Sequence, residues 1–215
     1  MEFINESWRS LTHPLYGLNL KDKFGSLERN HLHKAVAEGN SKLVKAIINE
    51  DKSLLLEKDK IGCTPLHLAS ISGNVGIVKL LLIADPTACN VKDEYERTPL
   101  HVAIDIDDVP VMKALLPTTA VDTDILHFSI RKSSRLRTFE TLVEHFSTLA
   151  NVNVLNTRNN VTDGDTLLHT AARLNKLKIM KYLLHFRRLS VDTTLENYIE
   201  PKKKALDMVT EEDRN

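Results

Sequence analysis

The stretch Thr64 to Leu82, TPLHLASISGNVGIVKLLL, decides how the rest of the chain is read. Leu66, Leu68 and Ala69 recur at helical spacing before Gly73-Asn74, and Ile77, Val78, Leu81 and Leu82 do the same after it. Pro65 suits the first turn of a helix, where its missing N–H has no partner to lose. Thr64 stands just ahead as an N-cap. Gly73 is placed to end the first helix, because glycine takes a left-handed C-cap at little cost. The spacing therefore predicts two short antiparallel helices. Neither is long enough to be stable alone in water, so both need neighbours.

The neighbours lie at a fixed interval. Thr98-Pro99-Leu100-His101 repeats Thr64-Pro65-Leu66-His67 at a spacing of 34, and Asn30-His31-Leu32-His33 takes the same place 34 residues earlier. Ala35, Gly39, Asn40, Leu43, Val44, Ile47 and Ile48 match Ala69, Gly73, Asn74, Ile77, Val78, Leu81 and Leu82. Asp124-Ile125-Leu126-His127 and Thr166-Leu167-Leu168-His169 repeat the helix start with drift. With these registers the chain resembles the ankyrin repeat family, whose signature is a TPLHxA-type helix start at a period near 33. The resemblance covers roughly residues 27–210. It implies an all-α solenoid of stacked helix-turn-helix units with projecting β-turn or hairpin loops.

Composition is that of an ordinary soluble protein, with 42% hydrophobic and 27% charged residues. Lys+Arg and Asp+Glu balance at 29 each, so bulk charge points to no nucleic acid or membrane partner. Cys63 and Cys89 are the only cysteines and lack CxxC spacing, which fits free thiols in a reducing, cytoplasmic setting. The start MEFINESWRS has no apolar core for a secretory signal, and the longest apolar run is too short to cross a bilayer.

The expected organisation is an N-terminal cap or leader over residues 1–29, a repeat domain over 30–210 and a tail over 211–215. Phe3, Ile4, Trp8, Leu11 and Tyr16 give the first segment enough apolar surface to cap the array as a worn repeat; the rival is a flexible leader with a binding segment around Trp8. Repeats start near 30, 64, 98, 124 and 166, with a partial sixth near 204 that opens on Ala205-Leu206-Asp207. In repeat three Asp107-Asp108 replaces the helix-breaking glycine, and Pro110 fits the first turn of the next helix. The spacing His101 to His127 is 26 and His127 to His169 is 42, so a shortened outward hairpin is followed by a compensating expansion. The second helix of repeat four is expected near Thr138 to Phe146. Leu54, Leu55 and Leu56 are expected to turn inward, and Lys58–Gly62 and Lys92–Arg97 to project outward. The long second helix of repeat four, VLNTRNN, GDTLLHTAA and ALDMV together look like plant ankyrin proteins that often continue into a C-terminal PGG membrane domain, absent from this sequence.

Nine histidines invite a metal reading, but His33, His67, His101, His127 and His169 share one repeat position. In an ankyrin stack such a side chain bonds the Thr hydroxyl and nearby backbone, and the imidazoles fall in a row. Zinc needs three or four ligands converging on one centre. No metal or other cofactor is expected. GxSxG, P-loop and GxGxxG motifs are missing, and Thr64 is committed as a cap. The acidic group Asp105, Asp107 and Asp108 reads as a solvated loop. The chain is therefore read as no enzyme, with no small-molecule substrate and no nucleic acid partner.

The resemblance implies a protein–protein interaction module, a scaffold or adaptor acting as a monomer. Its contact strip would combine hairpin tips with the exposed side of the first helix of each repeat. Residue by residue this implies Lys60, Ile61 and Ile71, then Glu94, Tyr95, Arg97, Asp105 and Ile106, then Thr162, Asp163, Asp165 and Arg173. Tyr95 beside Arg97 is the expected anchor. Basic residues gather toward the end of the chain, at Arg131, Lys132, Arg135, Arg137, Arg173, Lys176 and Lys202–Lys204. They read either as solvated faces or as a surface for an acidic partner or an anionic leaflet. The alternative function is a soluble regulatory part of a membrane-associated plant stress or immune signalling system, reaching the membrane only through a partner.

Overall fold

A computed structural model describes residues 28–119, 124–132, 135–149, 154–156, 158 and 164–185. The readings placed on residues 1–27, on Thr162 and Asp163, on the partial sixth repeat and on the tail lie outside the described residues.

Five helix pairs follow one another: α1 (His31–Ala37) and α2 (Ser41–Glu50), α3 (Pro65–Ile71) and α4 (Val75–Ala84), α5 (Pro99–Asp105) and α6 (Val109–Leu115), α7 (Asp124–Lys132) and α8 (Leu136–Leu149), α9 (Leu167–Arg173) and α10 (Leu177–His185). The helices are short because each is stopped deliberately. Gly39 and Gly73 take φ of 69° and 68° in the turn between paired helices, where only a residue without Cβ is unstrained. Asp107 and Asn175 take the same left-handed conformation in repeats three and five, at 55° and 50°. Asp and Asn visit it more readily than other side chains. Asn40 and Asn74 then cap the second helices, each accepting a backbone N–H three residues on at 3.1 Å. Among the described residues there is no strand, and the one isolated bridge joins Arg158 to Thr166. Among them, too, no helix is long and apolar enough to cross a membrane.

The chain divides into two compact units, Met1–Ala103 with Pro110–Thr119, and Ile104–Val109 with Ala120–Asn215. In the first, α1 packs on α2 and α3, and α4 packs on α2 and α3. Leu32, Val36, Val44, Leu66, Ile77, Leu81 and Leu100 fill its core. In the second, α7 packs on α8 and α9, and α10 on α8 and α9. Ile125, Phe139, Val143, Phe146, Leu168 and Leu183 fill that core, and Phe139 meets Tyr182 edge to face at 6.0 Å.

Two expectations change here. The helix expected near Thr138 to Phe146 runs from Leu136 to Leu149, long enough to bring both phenylalanines inward. Of the leucine triplet, only Leu55 is fully buried; Leu54 is half-buried and Leu56 is exposed. A 3-10 turn over Lys52–Leu55 causes this, because its three residues per turn aim one leucine at the core and swing the next away.

Candidate functional site

The hairpins of the first unit are held from within. Asp59 N–H donates to Cys63 O at 2.9 Å, and Gly62 N–H returns to Asp59 O at 2.9 Å. Asp59 Oδ1 accepts the N–H groups of Ile61 and Cys63 at 3.1 and 2.9 Å. The next hairpin repeats the plan 34 residues on. Asp93 N–H donates to Arg97 O at 2.8 Å, and Asp93 Oδ1 accepts from Tyr95 and Arg97 N–H at 2.8 and 2.9 Å. The second carboxylate oxygen is neutralised each time. Arg29 Nε donates to Asp59 Oδ2 at 3.1 Å, and Arg97 donates from Nε and Nη2 to Asp93 Oδ2 at 3.1 and 2.8 Å. Both pairs are buried.

Each hairpin also receives a histidine from the preceding repeat. His67 Nδ1 accepts Thr64 N–H at 3.2 Å and lies 2.9 Å from the Thr64 hydroxyl. Nε2 therefore carries the proton and donates to Arg97 O at 2.9 Å. His33 Nε2 meets Cys63 O at the same distance. Burial holds the His67 imidazole well down, to about 4, although the Arg97 carbonyl favours the charged form. Burial also pushes the Cys63 thiol up, with Asp59 and Asp93 adding to it, so it is no nucleophile. In the second unit Thr166 and His169 repeat the cap, with the hydroxyl 2.8 Å from Nδ1. His127 instead reaches Thr170 Oγ1 at 2.8 Å, tying α7 to α9. In repeat three Thr98 and His101 keep the local bond at 2.8 Å. Among the described residues no three His, Cys, Asp or Glu side chains gather as a metal site requires.

The expected contact residues separate by burial. Tyr95 is 60% exposed at its hairpin tip, with Glu94 and Glu96 exposed on either side. Lys60 is exposed and pairs with Glu28 at 2.9 Å, and Ile61 is half-buried. Arg97 is 7% exposed, so the expected outward anchor points inward. Its guanidinium lies under the Tyr95 ring, 4.8 Å from the centroid, and is taken up by Asp93. Ile71 is 9% exposed and packs with the core, and Asp165 is fully buried against Arg173. Arg97 and Asp165, both expected on the strip, thus lie inside. The register of Ile71, Asp105 and Arg173 moves from buried through half-buried to exposed, and Ile106 is half-buried. Asp59 and Asp93 escaped the sequence reading. Their signal was a shared place five residues ahead of each Thr-Pro, hidden in what looks like a solvated charge run.

Two family models match. "Ankyrin repeats (3 copies)" matches residues 6–90, and "Ankyrin repeat" matches residues 163–195; together they cover more than half of the chain. The chain belongs to the ankyrin repeat family. The first match begins ahead of Asn30, where the repeats read in the sequence begin. No curated protein matches the chain. Among solved structures, the chain is similar to the ankyrin repeat domain of Bcl-3, described as a unique member of the IkappaB protein family. That likeness has a TM-score of 0.70 at 23% identity, over 83% of this chain and 78% of that one. A chain in the complex of the predatory endopeptidase Bd0816 from Bdellovibrio bacteriovorus with immunity protein Bd3460 is similar at a TM-score of 0.60 and 24% identity, over 82% of this chain and 89% of that one. At these identities the likeness concerns the fold.

Proposed function

We propose that this ankyrin protein is a non-enzymatic interaction module that seats a protein partner on its hairpin tips and on the exposed turns of its first helices. The carrying observation is Tyr95. It is a large exposed aromatic side chain on a hairpin whose backbone is pinned at two N–H groups by Asp93, with the Arg97 guanidinium beneath its ring. Exposing a ring to water on a rigid support leaves little ordering cost at binding, which is what a contact anchor requires. Ankyrin repeat proteins are in general interaction scaffolds, and one similar solved structure is a complex between two proteins. Both support the reading. The contact residues proposed for the first unit are Lys60, Ile61, Glu94 and Tyr95; Arg97 serves by holding Tyr95. Those proposed for the second are Asp105, Ile106 and Arg173, with Asp165 holding Arg173.

The test is affinity capture with the wild-type chain and a Tyr95→Ala variant. Tyr95→Ala should weaken the captured interaction by about 2 kcal/mol or more without lowering the melting temperature. As a control, reversing the charges of Lys42 and Lys45, exposed on α2, should leave it intact. If the Lys42/Lys45 variant loses the partner and Tyr95→Ala keeps it, the hairpin-tip assignment is wrong.

A further inference from the structure

In the second unit the last turn of α7 carries Arg131 and Lys132, both exposed, and the last residue of the neighbouring α9 is Arg173. One cation in the last turn of a helix needs no special account, since it complements the negative end of the helix dipole. Two arginines at the same register of adjacent helices do. Burial of part of the Arg131 side chain holds its guanidinium below its ordinary value; the charge of Asp124 raises it and that of Arg173 lowers it. Arg173 already shows its preferred ligand, because its guanidinium grips the buried carboxylate of Asp165 and still leaves the side chain 38% exposed. A guanidinium fork matches a carboxylate with two parallel hydrogen bonds, which an ammonium does not.

Resting on the interaction reading above, we propose that Arg131 and Arg173, with Lys132 beside them, seat paired carboxylates of an extended acidic segment on the partner protein. Side chains two residues apart on an extended strand project to one side, about 7 Å apart. Two flexible arginines on helices packed about 8–10 Å apart can close on that separation.

The probe is a fluorescein-labelled Gly/Ser peptide with glutamate at alternate positions, titrated by anisotropy with the full chain at low salt. Its control is the same peptide with glutamine in each place. The glutamate peptide should bind at least tenfold more tightly than the glutamine one. Arg131→Glu should remove at least tenfold of that affinity. Arg173→Ala would strand the buried Asp165, so Arg173→Lys serves instead; it keeps the charge, loses the fork, and should cost threefold or more. Lys42→Glu/Lys45→Glu, twice the charge change of Arg131→Glu but in the first unit, should leave binding unchanged. Equal binding of the two peptides, or equal loss in the Lys42/Lys45 variant, overturns the proposal. So does binding of a phosphoserine peptide or of phosphatidylserine vesicles where the glutamate peptide fails. A captured partner that is lost with Tyr95→Ala but indifferent to Arg131→Glu would sink this inference and leave the interaction reading standing.

Discussion

The hairpins of the first unit and the entry to α9 in the second meet the same electrostatic demand with opposite charges in the same place. Ahead of α5 the residue before the cap is Arg97, buried against Asp93 within its own hairpin. Ahead of α9 the matching residue is Asp165, equally buried, and its partner Arg173 sits out on the helix. Either arrangement avoids an uncompensated interior charge, which is what costs most. They differ in what reaches the surface. The first keeps its cation inside and presents Tyr95; the second keeps its anion inside and presents a guanidinium. A repeat can thus alter its outward chemistry while its interior remains neutral.

The sharpest way to break the comparison is to delete each buried carboxylate. Asp93→Ala leaves Arg97 buried without its partner and frees two backbone N–H groups, so the loss of stability should reach about 3–5 kcal/mol. Asp165→Ala leaves an arginine that can turn to water, and should cost only about 1.5–3 kcal/mol. Denaturant midpoints of the two variants measure this. Equal losses would mean that the exposure of Arg173 gives no relief.

Acid comes next. His67 is held to about 4 in the folded protein against 6.5 unfolded, so folding favours its neutral form. That contribution is complete above pH 6.5 and is lost as the pH falls through 4. The difference amounts to roughly 3 kcal/mol. His67→Gln should therefore start less stable at pH 7 and lose less on acidification to pH 4. Parallel stability–pH curves for the two proteins would sink the assignment.

Gly62→Ala sharpens the account of the first unit alone. The glycine has a φ of 75°, and a Cβ would stand 2.5 Å from the Glu94 nitrogen. The expected loss is about 1–3 kcal/mol, seen as a lowered melting temperature with the second-unit amides unchanged in hydrogen exchange. The smallest effect is in the wild-type protein. Amides of α7, whose start lacks Thr-Pro, should exchange at lower opening free energy than those of α3, where the His67 ring accepts the Thr64 N–H. Uniform protection across the two helices would contradict this.

Much of the fold was legible because helix ends are written in few residues. Thr64-Pro65 and Thr98-Pro99 mark entries, Gly39 and Gly73 mark exits, and Asp107 in place of the glycine keeps the exit open with the same left-handed backbone. The inside and outside of loops were less legible. In Leu54-Leu55-Leu56 hydrophobicity cannot choose among three leucines; the turn chooses. In Lys92–Arg97 charge reads as exposure, yet Asp93 and Arg97 cancel each other and go inside. Burial of a charged pair depends on the mate's position in space, and no single-residue preference carries that. The candidate surface suffered most: of Tyr95 and Arg97, expected together, one faces solvent and the other supports it.

Gly62 has a consequence for the ancestry of the array. Repeats multiply by copying, and a copied unit works only where its neighbours leave it room. The Gly62 site has the backbone of the following hairpin pressed into the space a side chain would need, whereas Glu96, at the matching place one repeat on, carries a full side chain at a φ of 59°. Repeats two and three are therefore not interchangeable parts. Swapping their order would drive a glutamate into a gap shaped for a hydrogen atom, so the present order is written into the sequence rather than left free to shuffle.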